Sequence, residues 1–440
     1  MDARSHFAGK KITVMGLGLL GRGVGDAAYL ASQGAELIVT DLKSAEDLAP
    51  SLLKLSAYPE ITYVLGEHRL EDFRDRDYIL KSAGVAENSP FIAEARNAGI
   101  PIKMSASWFA EISGLPVVGI TGTRGKSTVT HMLESILRKD QRKILVGGNV
   151  RGVSTLALLK DASEDQIPVF ELDSWQLQGF GETGISPHLS VFTTFYPDHL
   201  AYYENDIDRY LEDKAKIFLN QGEEDILLLG EQMALTAIET YRDRIKSKIT
   251  VVTEEHLPKD WELVIPGTHN RYNAALALVA ARALGVSDDV SKEALESFLG
   301  VPGRLELIAL IGEVSFYNDT NSTTPEATIT ALHALSEETG KHISLIMGGH
   351  DKQLNMENLL GLIEELDASV SLLEGTGTDT IKEKLPGAPV FTSLKEAVAH
   401  AYAAAGETGI VLLSPAFSSF GMFANEYDRG DQFVALVKNL

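Results

Sequence analysis

Cysteine is absent from all 440 residues, which excludes disulfides, zinc–thiolate sites and a cysteine nucleophile. No apolar run reaches the roughly 18 residues of a membrane span, and the opening MDARSHFAGKK has no secretory hydrophobic stretch. A cytoplasmic protein without membrane insertion is expected. Basic side chains are scarce: 39 Lys and Arg stand against 62 Asp and Glu, a formal charge of −23. Such a surface repels a phosphate backbone, so no nucleic-acid partner is expected. An anionic substrate would need a local basic pocket, which suffices because screening acts over about 8 Å at physiological salt. Fixed short repeats and low-complexity tracts are also missing.

What is present is an ordinary globular composition, 44% hydrophobic and 23% charged, on a chain long enough for two or three domains. KKITVMGLG, the helix-like Leu20–Ser32 and AELIVTD form a βαβ unit, which DYILKSAGV, FIAEARNAG and IPIKM extend to about residue 105. A second series follows: LPVVGIT, an amphipathic helix carrying Val129, Met132, Leu133, Ile136 and Leu137, then IPVFELD, LSVFTTF and DILLLG. The alanine-rich NRYNAALALVAARALG is a helix closed by Gly285. After the glycines and proline of FLGVPGRLE, the strands HISLIMGG, SVSLLEGT and GIVLLSPA, with helical LKEAVAHAYAAA between them, suggest a doubly wound third domain. The expectation is an α/β protein of parallel sheets in three domains, 1–105, 106–301 and 302–440.

Two glycine loops carry chemistry. Gly16, Gly18 and Gly21 fit G-x-G-x-x-G between a strand and a helix, with Asp41 ending the next strand; alone they suit a dinucleotide, or merely a tight turn. Gly122, Gly125, Lys126 and Ser127 lie in TGTRGKST, where backbone N–H groups cradle phosphates, Lys126 neutralises them and Ser127 or Thr128 holds magnesium. Ile120 takes the first glycine position of the strict phosphate-loop pattern, so this is a variant loop.

The order GLGLLGRG, TGTRGKST, GGN, ELDSWQLQ, PDHL, YLEDKAKIF, GTHNRYN, GVPGRLE, YNDTNSTTP, GGHDK and LSPAFSSFGMF resembles the Mur ligase family over nearly the whole chain. The resemblance is strongest to its D-glutamate-adding members. It implies a Rossmann-like domain for the uridine diphosphate part of the substrate, a central ATPase domain and a C-terminal amino-acid-binding domain. The implied partners are UDP-N-acetylmuramoyl-L-alanine, ATP and glutamate, with Mg2+ as cofactor, and a monomer is expected. The chemistry accounts for the residue types. A carboxylate must first become an acyl phosphate before an amine can displace the leaving group, and the charge on the transferring phosphoryl oxygens calls for metal and fixed cations.

By motif position the resemblance places Leu19, Leu20, Asp41 and Gly84 around uridine, and Asn149 near the sugar-peptide end. It places Gly122, Thr123, Gly125, Lys126, Ser127, Thr128, Asn270, Arg304 and Asp319 on ATP. Ser127, Glu171, His199 and Lys214 would serve the metal, Lys214 as a carbamate, and Lys126, His199 and Lys214 catalysis. Thr323, Lys352, Ser419 and Phe420 would receive the amino acid. The chain departs from the usual pattern at Asp173 (serine), Asn321 (lysine), Gly303 (histidine) and the Glu426–Tyr427 pair. Asp173 thereby adds an acid near the expected metal site. The competing readings are a related Mur-type ligase using another amino acid such as L-glutamate, a folylpolyglutamate synthetase, and a nicotinamide-dependent oxidoreductase. The last leaves the second glycine loop unexplained.

Overall fold

Short β-branched runs that alternate with helices build three sheets in succession in the computed structural model, which describes residues 3–199 and 202–440. The first sheet contains β1 (Lys11–Met15), β2 (Glu36–Asp41), β3 (Thr62–Leu65), β4 (Tyr78–Lys81) and β5 (Ile102–Lys103), all parallel, in the order β3-β2-β1-β4-β5. The second contains β6 (Val118–Thr121), β7 (Lys143–Gly148), β8 (Gln166–Glu171), β9 (Leu189–Phe192), β10 (Ile226–Gly230) and β11 (Lys248–Val252), ordered β11-β10-β9-β6-β8-β7 and again parallel. Central strands such as VGIT and LSVF are buried at every residue, as parallel strands covered on both faces must be.

The third sheet contains β12 (Glu306–Ile311), β13 (Val314–Asn318), β14 (Ile343–Gly348), β15 (Ser369–Leu373), β16 (Val390–Phe391) and β17 (Ile410–Leu413), ordered β12-β13-β17-β14-β15-β16. Here the purely parallel expectation is corrected, because β12 and β13 are antiparallel. Only Gly312 and Glu313 separate them, with Gly312 at φ 62°, and a two-residue connection can join strands in no other way.

The chain divides into two compact units, Met1–Pro258 with Asn273–Ala294, and Lys259–Tyr272 with Leu295–Leu440. In the first, one apolar core runs through both sheets, and the helix Ser105–Ser113 belongs to it. Trp108 stacks edge-on against Phe7 at 5.1 Å, and Phe109 against Phe170 at 5.3 Å. In the second unit, separate clusters pack on the two faces of the third sheet, around Leu345 and Leu412 and around Ile346 and Val411. Among the described residues no helix is long and apolar enough to cross a membrane.

Each sheet order reverses between two neighbouring strands: β1 and β4, β6 and β9, β14 and β17. At such a switch point the connections leave to opposite faces and open a crevice beyond the C-terminal strand ends. The candidate residues gather there.

Candidate functional site

At the second switch point β6 runs into Gly122–Gly125 and then the helix Lys126–Lys139. Gly122 sits at φ 145°, where an added Cβ would lie 2.0 Å from Thr193 Oγ1; Gly125 sits at φ 86°, with Asn273 Oδ1 2.6 Å from such an atom. No other residue fits either place. The loop is braced by Thr194, whose carbonyl accepts from the Thr123 amide (2.7 Å) and whose Oγ1 accepts from the Arg124 amide (3.0 Å). Ser127 and Thr128 lie in the first helical turn, whose amide N–H groups have no helical acceptors and favour an anion. Lys126 Nζ folds back on the carbonyls of Gly122 (2.9 Å) and Thr123 (3.1 Å).

The flanking strands bring further groups to this end. Glu171 ends β8, in register with Ile120 of β6, and is 5% exposed. Asn149 Nδ2 donates to Glu171 Oε1 at 3.3 Å, and Arg22 Nη1 donates to Asn149 Oδ1 at 2.7 Å. His199 follows β9 at φ 52°; its ring lies 4.6 Å from Trp175 and 6.1 Å from Tyr210. Asp198 holds this segment by accepting from the His199 amide at 2.8 Å. Leu200 of the PDHL motif lies outside the described residues. Among the described residues no three His, Asp or Glu side chains form a metal cage.

Lys214 is 1% exposed on the helix Ile207–Ala215. Its Nζ donates to Gly122 O at 2.9 Å, sharing that carbonyl with Lys126, and lies 4.9 Å from the Tyr210 ring centroid. Burial first, and then the Lys126 charge, drive its pKa well below that of an ordinary lysine. Asp173 has a local use. It N-caps the helix Ser174–Thr183, accepting from the Gln176 amide at 2.8 Å, while its own amide donates to Gln176 Oε1 at 3.3 Å. Serine, the residue usual in the resembling motif, caps helices in the same way, so the departure conserves the cap.

At the first switch point a cavity of about 580 Å³ is lined by Leu19, Leu20, Asp41 and Gly84; Gly148 reaches it, whereas Asn149 does not line it. Asp41 Oδ2 accepts from the amides of Leu17 (2.8 Å) and Gly18 (3.0 Å), and Oδ1 from that of Lys43 (2.9 Å). The carboxylate therefore shapes the glycine loop itself. Three buried residues here escaped sequence reasoning. Asp26 accepts from Ser105 (2.7 Å) and Ser154 (2.6 Å), and burial pushes its pKa up to about 6. Lys81 donates to Val85 O at 2.8 Å, and burial lowers its pKa to about 8. Gln178 donates to Asp213 Oδ2 at 2.8 Å. Each is a polar residue within an apolar pattern, and nothing in the sequence says which buried partner it meets.

At the third switch point Lys352, Thr323, Ser419 and Phe420 line a cavity of about 250 Å³ together with Arg304, Asn321, Glu426 and Tyr427. Lys352 Nζ donates to Thr323 Oγ1 (2.8 Å) and Thr323 O (3.0 Å). Behind the wall Arg429, fully buried, donates to Thr320 O (2.9 Å), Thr320 Oγ1 (3.1 Å) and Phe417 O (3.3 Å), and fastens together the loops after β13 and β17. Asp319 accepts from Ser414 Oγ (2.7 Å) and the Leu305 amide (3.1 Å), and burial raises its pKa to about 6. Asn270 Nδ2 donates to Pro266 O at 2.5 Å. Asn270, Arg304 and Asp319 belong to the second unit, and the phosphate loop to the first.

Comparison with known proteins supplies the framework for these three crevices. Residues 10–104 match the Mur ligase MurD-like N-terminal domain, 120–261 the Mur ligase middle domain and 303–417 the Mur ligase glutamate ligase domain. A UDP-N-acetylmuramoylalanine--D-glutamate ligase from Roseiflexus sp. (strain RS-1) is 35% identical, with 99% of each chain aligned. Among solved structures, UDP-N-acetylmuramate-alanine ligase MurC from Thermotoga maritima is 21% identical with a TM-score of 0.59, covering 98% of this chain and 99% of its own. MurF ligase from Thermotoga maritima in complex with ADP is 20% identical with a TM-score of 0.54, covering 84% and 97%. With all three of its sheets matched by that family's domains and a relative aligned from end to end, the chain belongs to the Mur ligase family.

Proposed function

We propose that this chain is the cytoplasmic, ATP-dependent ligase that joins D-glutamate to UDP-N-acetylmuramoyl-L-alanine in peptidoglycan precursor synthesis, releasing ADP and phosphate. The observation that carries the reading is the phosphate loop at the second switch point, with Glu171 beside its strand and the buried Lys214 on its first carbonyl. The full-length likeness to an enzyme of that name supports the choice of substrates.

Each group has a task that its surroundings support. Gly122, Thr123, Gly125, Ser127 and Thr128 cradle phosphate, and Lys126 leaves its two loop carbonyls to neutralise the transferring group. Asn270, Arg304 and Asp319 are the further residues assigned to the nucleotide. Leu19, Leu20, Asp41 and Gly84 hold the uridine part in the first crevice, and Asn149, oriented by Arg22, meets the sugar-peptide end. The substrate carboxylate takes the γ-phosphoryl group to become an acyl phosphate. The glutamate amine, held in the third crevice by Lys352, Thr323, Ser419 and Phe420, then attacks the acyl carbon and phosphate leaves.

The metal residues fit magnesium delivered with the nucleotide. Mg2+ prefers one or two protein carboxylates plus phosphate oxygens to an all-protein cage, and Glu171 is buried at the loop's mouth, where its carboxylate accepts one weak bond among the described residues, from Asn149. Glu171, Ser127, His199 and a carbamate on Lys214 would hold the ion, which when bound stabilises charge on the phosphoryl oxygens. Lys214 suits this modification because depressed basicity leaves a neutral amine to attack carbon dioxide. The nitrogen loses one proton, keeps the N–H that donates to Gly122 O, and gains an anion beside Lys126.

Phosphate release from ATP is expected only when magnesium, UDP-N-acetylmuramoyl-L-alanine and D-glutamate are all present, with no requirement for NAD. Lys126→Ala should abolish it; undiminished ligation by that variant would overturn the assignment of the loop.

A further inference from the structure

The cavity at the first switch point has one side chain whose proton is fixed by its neighbours. His68 follows β3 and lines the cavity beside Asp41, Leu42 and Lys43, which end and follow the adjacent β2. Its Nδ1 lies 2.7 Å from Thr40 Oγ1, and the same hydroxyl lies 3.1 Å from Glu67 O. Thr40 is fully buried and its hydroxyl has one proton. If that proton points to His68, Thr40 Oγ1 faces the Glu67 carbonyl lone pair against lone pair. If His68 carries its proton on Nδ1, both contacts become hydrogen bonds. The second arrangement gains a buried bond and removes a repulsion, so it prevails.

The other ring nitrogen, Nε2, is then an acceptor. It bonds to no other group among the described residues and is not sealed from solvent. Phe91 and Phe73 hold the ring in place, with centroids at 5.1 and 6.3 Å, and burial keeps the imidazole below its usual pKa and neutral. Around the same cavity Leu19, Leu20 and Leu42 are 50%, 45% and 68% exposed. Exposed leucines at a cavity mouth suit the faces of a flat ring.

We propose that His68 is the residue that selects uracil, its Nε2 accepting the imide N–H that lies between the two ring carbonyls. Cytosine offers a lone pair at that ring position, so its nitrogen would face Nε2 without a proton between them. Thr40 is a positioning residue: it acts only through the tautomer of His68. The proposal rests on the assignment of this cavity to the uridine part of the substrate.

Isothermal titration of the intact protein with UDP and with CDP tests it. Wild-type protein should prefer UDP by about tenfold or more, the size of one hydrogen bond plus an opposed lone pair. His68→Phe, which keeps a ring among Phe91 and Phe73 but has no acceptor, should weaken UDP binding and bring the UDP-to-CDP ratio close to one. Thr40→Val, nearly isosteric, frees the tautomer and should lower the ratio part of the way. A structural role alone would weaken both nucleotides together, so a His68→Phe protein that keeps the wild-type ratio overturns the proposal. A wild-type protein that binds neither nucleotide would instead overturn the uridine assignment, and this inference with it.

Discussion

Asp26→Asn should stabilise the protein at neutral pH. Asp26 is 6% exposed, accepts from two serine hydroxyls and is opposed mainly by burial, so its carboxyl titrates at about 6 instead of 3.8. That difference corresponds to roughly 3 kcal/mol at most. The sign follows from proton counts. Between pH 3.8 and 6 the folded state holds more protons than the unfolded one, so stability falls as pH rises through this window. Above it the folded protein carries the full cost of a buried carboxylate. Asparagine keeps an oxygen for Ser105 and Ser154 without the charge. Thermal unfolding of the intact protein and the variant should differ by several degrees at pH 7.5, at roughly 2 °C per kcal/mol for a unit of this size. The difference should vanish towards pH 4. A variant that melts lower at pH 7.5, or whose gain does not change with pH, would refute the reasoning.

Two further outcomes are expected from steady-state kinetics. Lys352→Ala, which removes the cation beside Thr323 in a cavity where Asn321 replaces a second lysine, should raise KM for D-glutamate about ten- to a hundredfold, the range of a charge-assisted hydrogen bond. KM for ATP should change little, and equal effects on both would count against the pocket assignment. Lys214→Ala should cripple ligation, and formate or acetate should restore part of it by replacing the missing anion; a fully active Lys214→Ala would dismiss the carbamate.

The sequence was most legible where one signal is strong. Buried parallel strands such as LPVVGIT read directly because they are continuously apolar, and the two glycine loops because only glycine tolerates their backbone. β11 was missed because an edge strand with four of its five residues outside the core shows no burial pattern. β12 and β13 hid because Gly312–Glu313 is an undistinguished dipeptide for a turn. At the site, residues brought together by strand order could be named from motifs, but the partners of Asp26, Lys81, Arg429 and His68 could not. Ser154 is 128 residues from Asp26, and Thr320 is 109 from Arg429; such pairings depend on tertiary packing. Asp173 shows the reverse case: its capping partner is three residues away, so its role was readable locally, although proximity to the expected metal site suggested another.

The most direct test of the central claim is the mass of the product. The purified chain is incubated with UDP-N-acetylmuramoyl-L-alanine, Mg2+, ATP and either D- or L-glutamate, and the uridine-containing species are weighed by mass spectrometry while ADP is counted. With D-glutamate, a product heavier by one glutamyl residue is expected, with one ADP formed for each molecule of product; with L-glutamate, the starting nucleotide should remain. No adduct with D-glutamate, or an adduct formed only with L-glutamate or another amino acid, would contradict it.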